Sequence, residues 1–176
     1  AQEGRGCSVA VRRFISMRTD IQSLKGLEQL KAVNALVNES VRYMSDAARH
    51  GQPDVWSAPL STLGQVGDCE DYAVAKYYLL AAAGRPIDDM RIILLRDRHA
   101  AEDHAVLAVR EGGQWLLLDN RWSRIDADTD RVIDGYATIT SSETIRLSAL
   151  PSRNLAIRVN TTDGARSVRI TFAGST

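Results

Sequence analysis

The period of the apolar residues changes once along this chain, and that change constrains the fold more than any other feature. Up to about residue 83, apolar residues recur every three or four positions, which predicts helices. From residue 91 they alternate or form short runs, which predicts strands. Gly84 and Pro86 lie between the two parts as helix stop signals. Helices followed by an antiparallel sheet are typical of an α+β domain.

Two helices can be placed from this pattern. One is predicted from Gly26 to Ala48, and a second begins at Cys69, with Asp68 as its N-cap, and continues to Ala81. The predicted strands are Arg91 to Leu95, Ala105 to Arg110, Gln114 to Leu118, Thr144 to Leu147, Leu155 to Asn160 and Ser167 to Phe172.

Length and composition fit one domain. The chain has 176 residues, of which 44% are hydrophobic, enough to bury a single substantial core. We therefore expect one domain over residues 1–176, with a mobile amino-terminal segment over residues 1–20 and additional strands over residues 125–176.

The charge balance argues against several partners. Lys plus Arg equals Asp plus Glu at 22 each, so no net field attracts nucleic acid or an anionic membrane. The longest apolar run, Tyr77 to Ala83, is far short of the roughly 20 residues that a membrane span needs.

The sequence opens at Ala1 without an initiator Met, as a chain does after removal of a signal peptide, so we expect an exported protein.

The chain has two cysteines in different settings. Cys7 lies in a Gly-rich segment, whereas Cys69 lies in the first turn of a predicted helix, where unpaired N–H groups and the helix dipole favour thiolate over thiol. A cysteine is often a small buried hydrophobe, but the neighbouring Asp68, Glu70 and Asp71 make this position polar. Cys69 is therefore the predicted nucleophile.

His104 begins one predicted strand and Asp119 follows the next, with Glu111-Gly112-Gly113 as the turn between them. If Val106 lies opposite Leu117, then His104 lies directly opposite Asp119, within the reach of cross-strand neighbours. A carboxylate beside an imidazole fixes its tautomer and stabilises the imidazolium. His104 is thus the predicted base and Asp119 the residue that orients it.

Three acids surround Cys69 and would raise its pKa unless a cation offset them. Asp68 and Asp71 are three residues apart and so lie at neighbouring positions on the helix surface, and their hard oxygen ligands suit Ca²⁺ better than zinc. An equally good interpretation is that Asp68 is an N-cap and Glu70 and Asp71 are favourable first-turn acids. Trp56, in the preceding loop, is either a cleft residue that could donate to an oxyanion or a packing residue.

Four segments carry a resemblance to a known family: VNALVNESVRYMSD, DVWSAPLSTLGQVGDCEDYAVAKYYLL, HAVLAV and LLLDNR. They resemble the bacterial transglutaminase-like cysteine proteinases, a periplasmic branch of the papain-like superfamily. The resemblance implies a papain-like/transglutaminase-like fold, with a helical amino-terminal half packed on an antiparallel sheet. It also implies a Cys69-His104-Asp119 triad, calcium dependence through Asp68, Glu70 and Asp71, and a periplasmic location.

The resemblance further implies the biological partners. Members of this kind cleave the amino-terminal region of large cell-surface adhesins, which controls biofilm release, and an inner-membrane cyclic-di-GMP receptor sequesters them. Two other functions remain open from the residues: acyl transfer in the transglutaminase manner, which uses the same triad, and a calcium-responsive binding module captured by a membrane receptor.

Overall fold

The elements follow the predicted order, with helices first and most strands afterwards. The computed structural model describes residues 8–52, 54–97, 102–123, 125–127, 143–145, 155–161 and 164–170. In these ranges the helices are α1 (Val9–Gln22), α2 (Gly26–Ser40), α3 (Asp46–His50), α4 (Pro59–Thr62) and α5 (Cys69–Ala82). The strands are β1 (Arg42–Tyr43), β2 (Val66–Gly67), β3 (Met90–Asp97), β4 (Glu102–Glu111), β5 (Gln114–Leu118), β6 (Asp126–Ala127), β7 (Glu143–Ile145), β8 (Leu155–Thr161) and β9 (Gly164–Ile170).

The main sheet has the strand order β6-β5-β4-β3-β7, and all its pairings are antiparallel. The short strands β1 and β2 pair in parallel, and β8 and β9 form a separate antiparallel pair. The predicted α+β class is confirmed. No helix within the described ranges combines the length and apolar character that crossing a bilayer requires.

Helix α5 lies at the centre of the fold. Ten of its residues are buried, so other elements enclose it on nearly every side. Leu30, Val33 and Val37 of α2 share its core cluster, as do Ala105 and Leu107 of β4. Because α5 begins at Cys69, the core fixes the position of that residue against β4.

Two predictions about the amino-terminal half are wrong. The helix predicted over Gly26 to Ala48 ends at Ser40, because Val41 is extended and the next residues pair with β2. The mobile segment predicted over residues 1–20 is wrong from Val9 onward, where α1 begins after the Ser8 cap and buries Met17. Cys7 and the rest of that segment lie outside the described residues, as does His99.

The predicted register of the β4–β5 hairpin is also wrong, by two residues. The structure pairs Ala108 with Leu117 and Glu111 with Gln114, so the loop consists of Gly112 and Gly113 alone. Both have positive φ, 57° and 81°, which the favoured two-residue hairpin turn requires at both central positions. A shift of two keeps every side chain on its predicted face.

Candidate active site

Cys69 is the first residue of α5 and is partly exposed. Its predicted N-cap, Asp68, occupies the cap position but makes no side-chain hydrogen bond to its own helix. Instead Asp68 Oδ2 accepts from the backbone N–H of Asp46 at 3.2 Å. The first N–H groups of α5 are therefore left uncapped by that side chain beside the thiol, where they could stabilise a negatively charged oxygen.

Two groups contact the sulfur of Cys69. Its thiol donates to Glu70 Oε2 at 3.2 Å. The sulfur also accepts a hydrogen bond from the backbone N–H of Ala105 on β4, which lowers the pKa of the thiol. Burial raises the pKa of Cys69 first, and the charge of Glu70 raises it further. Because Ala105 directly follows His104, strand β4 also brings His104 close to the thiol.

His104 and Asp119 are brought together as the sequence predicted. Nε2 of His104 lies 3.0 Å from Oδ1 of Asp119, and both side chains are buried. The backbone N–H of Arg121 donates to the same Oδ1 at 2.9 Å. The carboxylate is thus fixed from two sides, and the ring nitrogen that faces it is defined.

Two side chains on α2 hold the segment after β5 in place. Asn38 Nδ2 donates to the carbonyl of Asp119 at 3.0 Å, and Asn34 Nδ2 donates to the carbonyl of Trp122 at 3.0 Å. These are contacts more than 80 residues apart in sequence. The position of Asp119 therefore depends on the packing of α2 as well as on the sheet.

The acidic cluster is larger than the sequence predicted. Asp46 at the start of α3 comes together with Asp68 and Asp71, and Asp46 with Asp54 and Glu70, each group offering carboxylate oxygens within 4.8 Å of one another. Burial raises the pKa of Asp68, and burial followed by the charge of Asp68 raises that of Glu70 to about 10. Such crowding of carboxylates is unfavourable without protons or a cation.

Two oxygens of this cluster show that the residues fit a metal ion. Oδ1 of Asp46 and Oδ1 of Asp68 are buried, and neither has a hydrogen-bond partner among the described residues. Unsatisfied buried carboxylate oxygens are costly, and an all-oxygen donor set is the one that calcium prefers. Two overlapping groups could thus hold the ion: Asp46 with Asp68 and Asp71, and Asp46 with Asp54 and Glu70.

Asp71 differs from the other acids of the cluster. Its Oδ1 accepts from the backbone N–H of Ser57 at 2.7 Å, and its Oδ2 pairs with Arg49 Nη1 at 3.3 Å. Arg49 also donates to Ser57 Oγ and to the carbonyl of Ser61. Asp71 therefore ties α5 to the loop before α4, and both its oxygens already have partners.

The indole N–H of Trp56 is engaged elsewhere and is not available as an oxyanion donor. Its indole N–H, the only donor of the side chain, bonds to Asp54 Oδ1 at 2.9 Å, and its ring belongs to the buried core cluster. The structure therefore favours the packing interpretation, with an added role: Trp56 orients Asp54, one of the acids that the sequence analysis did not include.

Comparison with known proteins bears on this site. The family model described as bacterial transglutaminase-like cysteine proteinase matches residues 2–139, which include Cys69, His104 and Asp119. A search of curated protein sequences finds no significant match.

Two solved structures of LapG from Legionella pneumophila have a similar fold. The calcium-bound form aligns with a TM-score of 0.63 at 25% identity and covers 80% of this chain and 77% of that chain. The EGTA-treated form aligns with a TM-score of 0.62 at 26% identity and covers 74% of this chain and 72% of that chain.

Proposed function

This chain belongs to the bacterial transglutaminase-like cysteine proteinases and is a cysteine peptidase, and from that premise we propose that Cys69, His104 and Asp119 are its catalytic residues. One observation carries the proposal: β4 presents His104, bound to Asp119 at 3.0 Å, next to the Ala105 N–H that bonds to the Cys69 sulfur. The nucleophile, its base and the residue that orients the base thus share one site.

The reaction follows from these positions. Because Nε2 of His104 is bound to Asp119, Nδ1 is the nitrogen that exchanges a proton with the thiol. His104 takes that proton as the Cys69 sulfur attacks the peptide carbonyl, and backbone N–H groups at the start of α5 receive the oxyanion. His104 then protonates the departing amine. Finally it takes a proton from water, and the hydroxide displaces Cys69 from the thioester as a thiolate, releasing the peptide's new carboxyl group. The thiolate then recovers the proton from His104, which restores the starting state.

We propose that the acidic cluster holds calcium through Asp46, Asp54, Asp68 and Glu70, with Asp71 completing or bracing the group. The convergence of these carboxylates, with Asp46, Asp68 and Glu70 buried, and the calcium-bound form of the Legionella pneumophila relative support this assignment. A bound ion would supply the positive charge that lets these carboxylates stay ionised beside a thiol that must lose its proton. Cys69 and Glu70 adjoin in sequence, so metal binding and thiol reactivity are expected to be linked.

For the substrate we propose the amino-terminal region of a large cell-surface adhesin, with cleavage controlling biofilm release. We also propose a periplasmic location and capture by an inner-membrane cyclic-di-GMP receptor. The support for these assignments is the family resemblance carried by the segment from Gly67 to Tyr77. A protein substrate follows from membership of a peptidase family.

The test is incubation of the purified chain with amino-terminal adhesin fragments, with calcium or with a chelator. Cleavage in calcium that Cys69→Ala and the chelator each abolish would support the proposal. Cleavage by Cys69→Ala would contradict it. A parallel incubation with a glutamine substrate and a labelled amine tests acyl transfer, since incorporation of the amine would indicate a transferase. A binding module would retain its biological effect as Cys69→Ala.

A further inference from the structure

Lys76 is the largest of the fully buried side chains in the described part of the chain, with an exposed fraction of 0%. It lies on α5 about two turns after Cys69. Lysine is almost never fully buried unless it is paired, because removing an ammonium from water is costly. The mechanism above leaves this residue without a role.

The contacts of Lys76 point toward Asp119. Nζ donates to the carbonyl oxygen of Leu118 at 3.3 Å, and Leu118 directly precedes Asp119. Nζ also lies 5.9 Å from the centroid of the Tyr72 ring, a cation–π distance. The Tyr72 hydroxyl donates to the carbonyl of Val41 at 2.6 Å, which fixes that ring. The ammonium is therefore held between α5 and the end of β5.

Charge links the same two residues. Burial lowers the pKa of Lys76 to about 7, and the carboxylate of Asp119 acts in the opposite direction by favouring the ammonium. Among the described residues, the ionisable groups that face Nζ are Asp119, after the end of β5, and Tyr72, on α5 itself. A buried carboxylate likewise favours its neutral form unless a positive charge is near.

We propose that Lys76 is a positioning residue that anchors the Leu118 carbonyl and supplies the counter-charge that keeps Asp119 ionised against His104. This inference rests on the proposed Cys69-His104-Asp119 triad. Helix α5 would then contribute to the reaction in two ways. Its first residue, Cys69, is the nucleophile, and Lys76 supplies a positive charge near Asp119, which orients the base. A lysine that only satisfies the Leu118 carbonyl would have no effect through Asp119.

A double-mutant cycle tests whether Lys76 acts on the reaction through Asp119. Lys76→Met keeps most of the buried volume and removes the charge, while Lys31→Met, at an exposed lysine of α2, is the matched control. With the full chain, calcium and a cleavable adhesin fragment at about pH 6, below the Lys76 pKa of about 7, we expect Lys76→Met to lower kcat by about tenfold or more with little change in KM. Lys31→Met should behave as the unchanged protein does.

In the Asp119→Ala background, Lys76→Met should change kcat by less than about twofold, because the group through which Lys76 acts is already gone. An unchanged kcat in the single variant, or the same full loss in both backgrounds, would overturn the proposal.

A measurement that needs no activity decides the case if Lys76→Met does not fold. The Lys76 ammonium is titrated by ¹⁵N NMR in inactive Cys69→Ala, with and without Asp119→Asn. Loss of the carboxylate charge should shift the Lys76 titration to lower pH. An identical titration would refute the role of Lys76 and leave the peptidase proposal intact, whereas cleavage by Cys69→Ala would refute that proposal and leave this result unaffected.

Discussion

Nε2 of His104 lies 3.0 Å from Oδ1 of Asp119, although the two residues are diagonal rather than direct neighbours across β4 and β5. The ladder pairs Leu107 with Leu118, so the position after β5 continues opposite Val106, two residues from His104. Diagonal neighbours share a face and remain within reach of longer side chains. The Arg121 N–H, at 2.9 Å from the same oxygen, keeps the carboxylate turned toward the ring.

This relationship predicts the effect of Asp119→Ala. Without the carboxylate, the imidazole loses its fixed tautomer and the stabilisation of its charged form, so kcat/KM for adhesin cleavage should fall by roughly a hundredfold or more. Asp103→Ala, at an exposed acid next to His104 in β4, is the control and should retain activity. Equal rates for the two variants would show that Asp119 does not act on His104.

The sequence predicted this pair but not its register. Strand periodicity placed His104 and Asp119 on one face, and that survives a shift of two residues. The error came from assigning Glu111 to the turn, when Gly112 and Gly113 alone supply the two positive φ angles that a tight hairpin needs. The two glycines of the turn therefore determine the register of the hairpin, which the apolar pattern alone does not.

Calcium binding should depend on acids far from the Cys69 motif. Asp46→Asn removes the negative charge of a carboxylate whose Oδ1 has no hydrogen-bond partner among the described residues. We therefore expect calcium affinity to fall by about tenfold or more. Titration calorimetry measures this, with Glu39→Gln as the control at an exposed acid. Wild-type affinity in Asp46→Asn would remove Asp46 from the site, and no binding heat in the wild type would remove calcium altogether.

Asp46 and Asp54 were not predicted because nothing in their local sequence marks them. Asp46 has the position of an ordinary acid in the first turn of a short helix, and Asp54 lies in a loop. Only tertiary contacts bring them to Asp68 and Glu70. The early end of α2 at Ser40 has the same origin, since the pairing of β1 with β2 overrides the helical pattern of the following residues.

Gly67→Ala should damage the site through steric contact. A Cβ at this position would lie 2.7 Å from both Cβ and Oδ2 of Asp71 and 3.0 Å from Thr62 Cγ2. We expect a loss of roughly 1 to 3 kcal/mol in the free energy of unfolding and weaker calcium binding, because Asp71 must move.

Gly51→Ala is the matched control, since its φ of 66° carries strain but no atom lies within 4 Å of the added Cβ. It should cost about 1 kcal/mol and leave calcium binding unchanged. Chemical denaturation and calorimetry of both variants make the comparison. Normal stability and calcium binding in Gly67→Ala would contradict the close packing of Asp71 on Gly67.

Buried Lys76 predicts how stability depends on pH. Its pKa is about 7 in the folded protein and 10.5 as the unperturbed value, so between these the unfolded chain binds more protons. The free energy of unfolding should therefore gain a contribution that rises with pH by up to about 1.4 kcal/mol per unit in this window. Chemical denaturation from pH 7 to 10 in saturating calcium should show a smaller rise in the free energy of unfolding for Lys76→Met than for the unchanged protein. Parallel curves for the two proteins would contradict a depressed pKa at Lys76.

The rate at which iodoacetamide alkylates Cys69 tests the central claim most directly, because it needs no knowledge of the substrate. The Cys7→Ala variant leaves Cys69 as the single thiol, and mass spectrometry follows its modification at pH 7 in calcium. If His104 takes the thiol's proton, adding His104→Ala should slow alkylation by about tenfold or more. An unchanged rate would contradict the assignment of His104 as the base of Cys69.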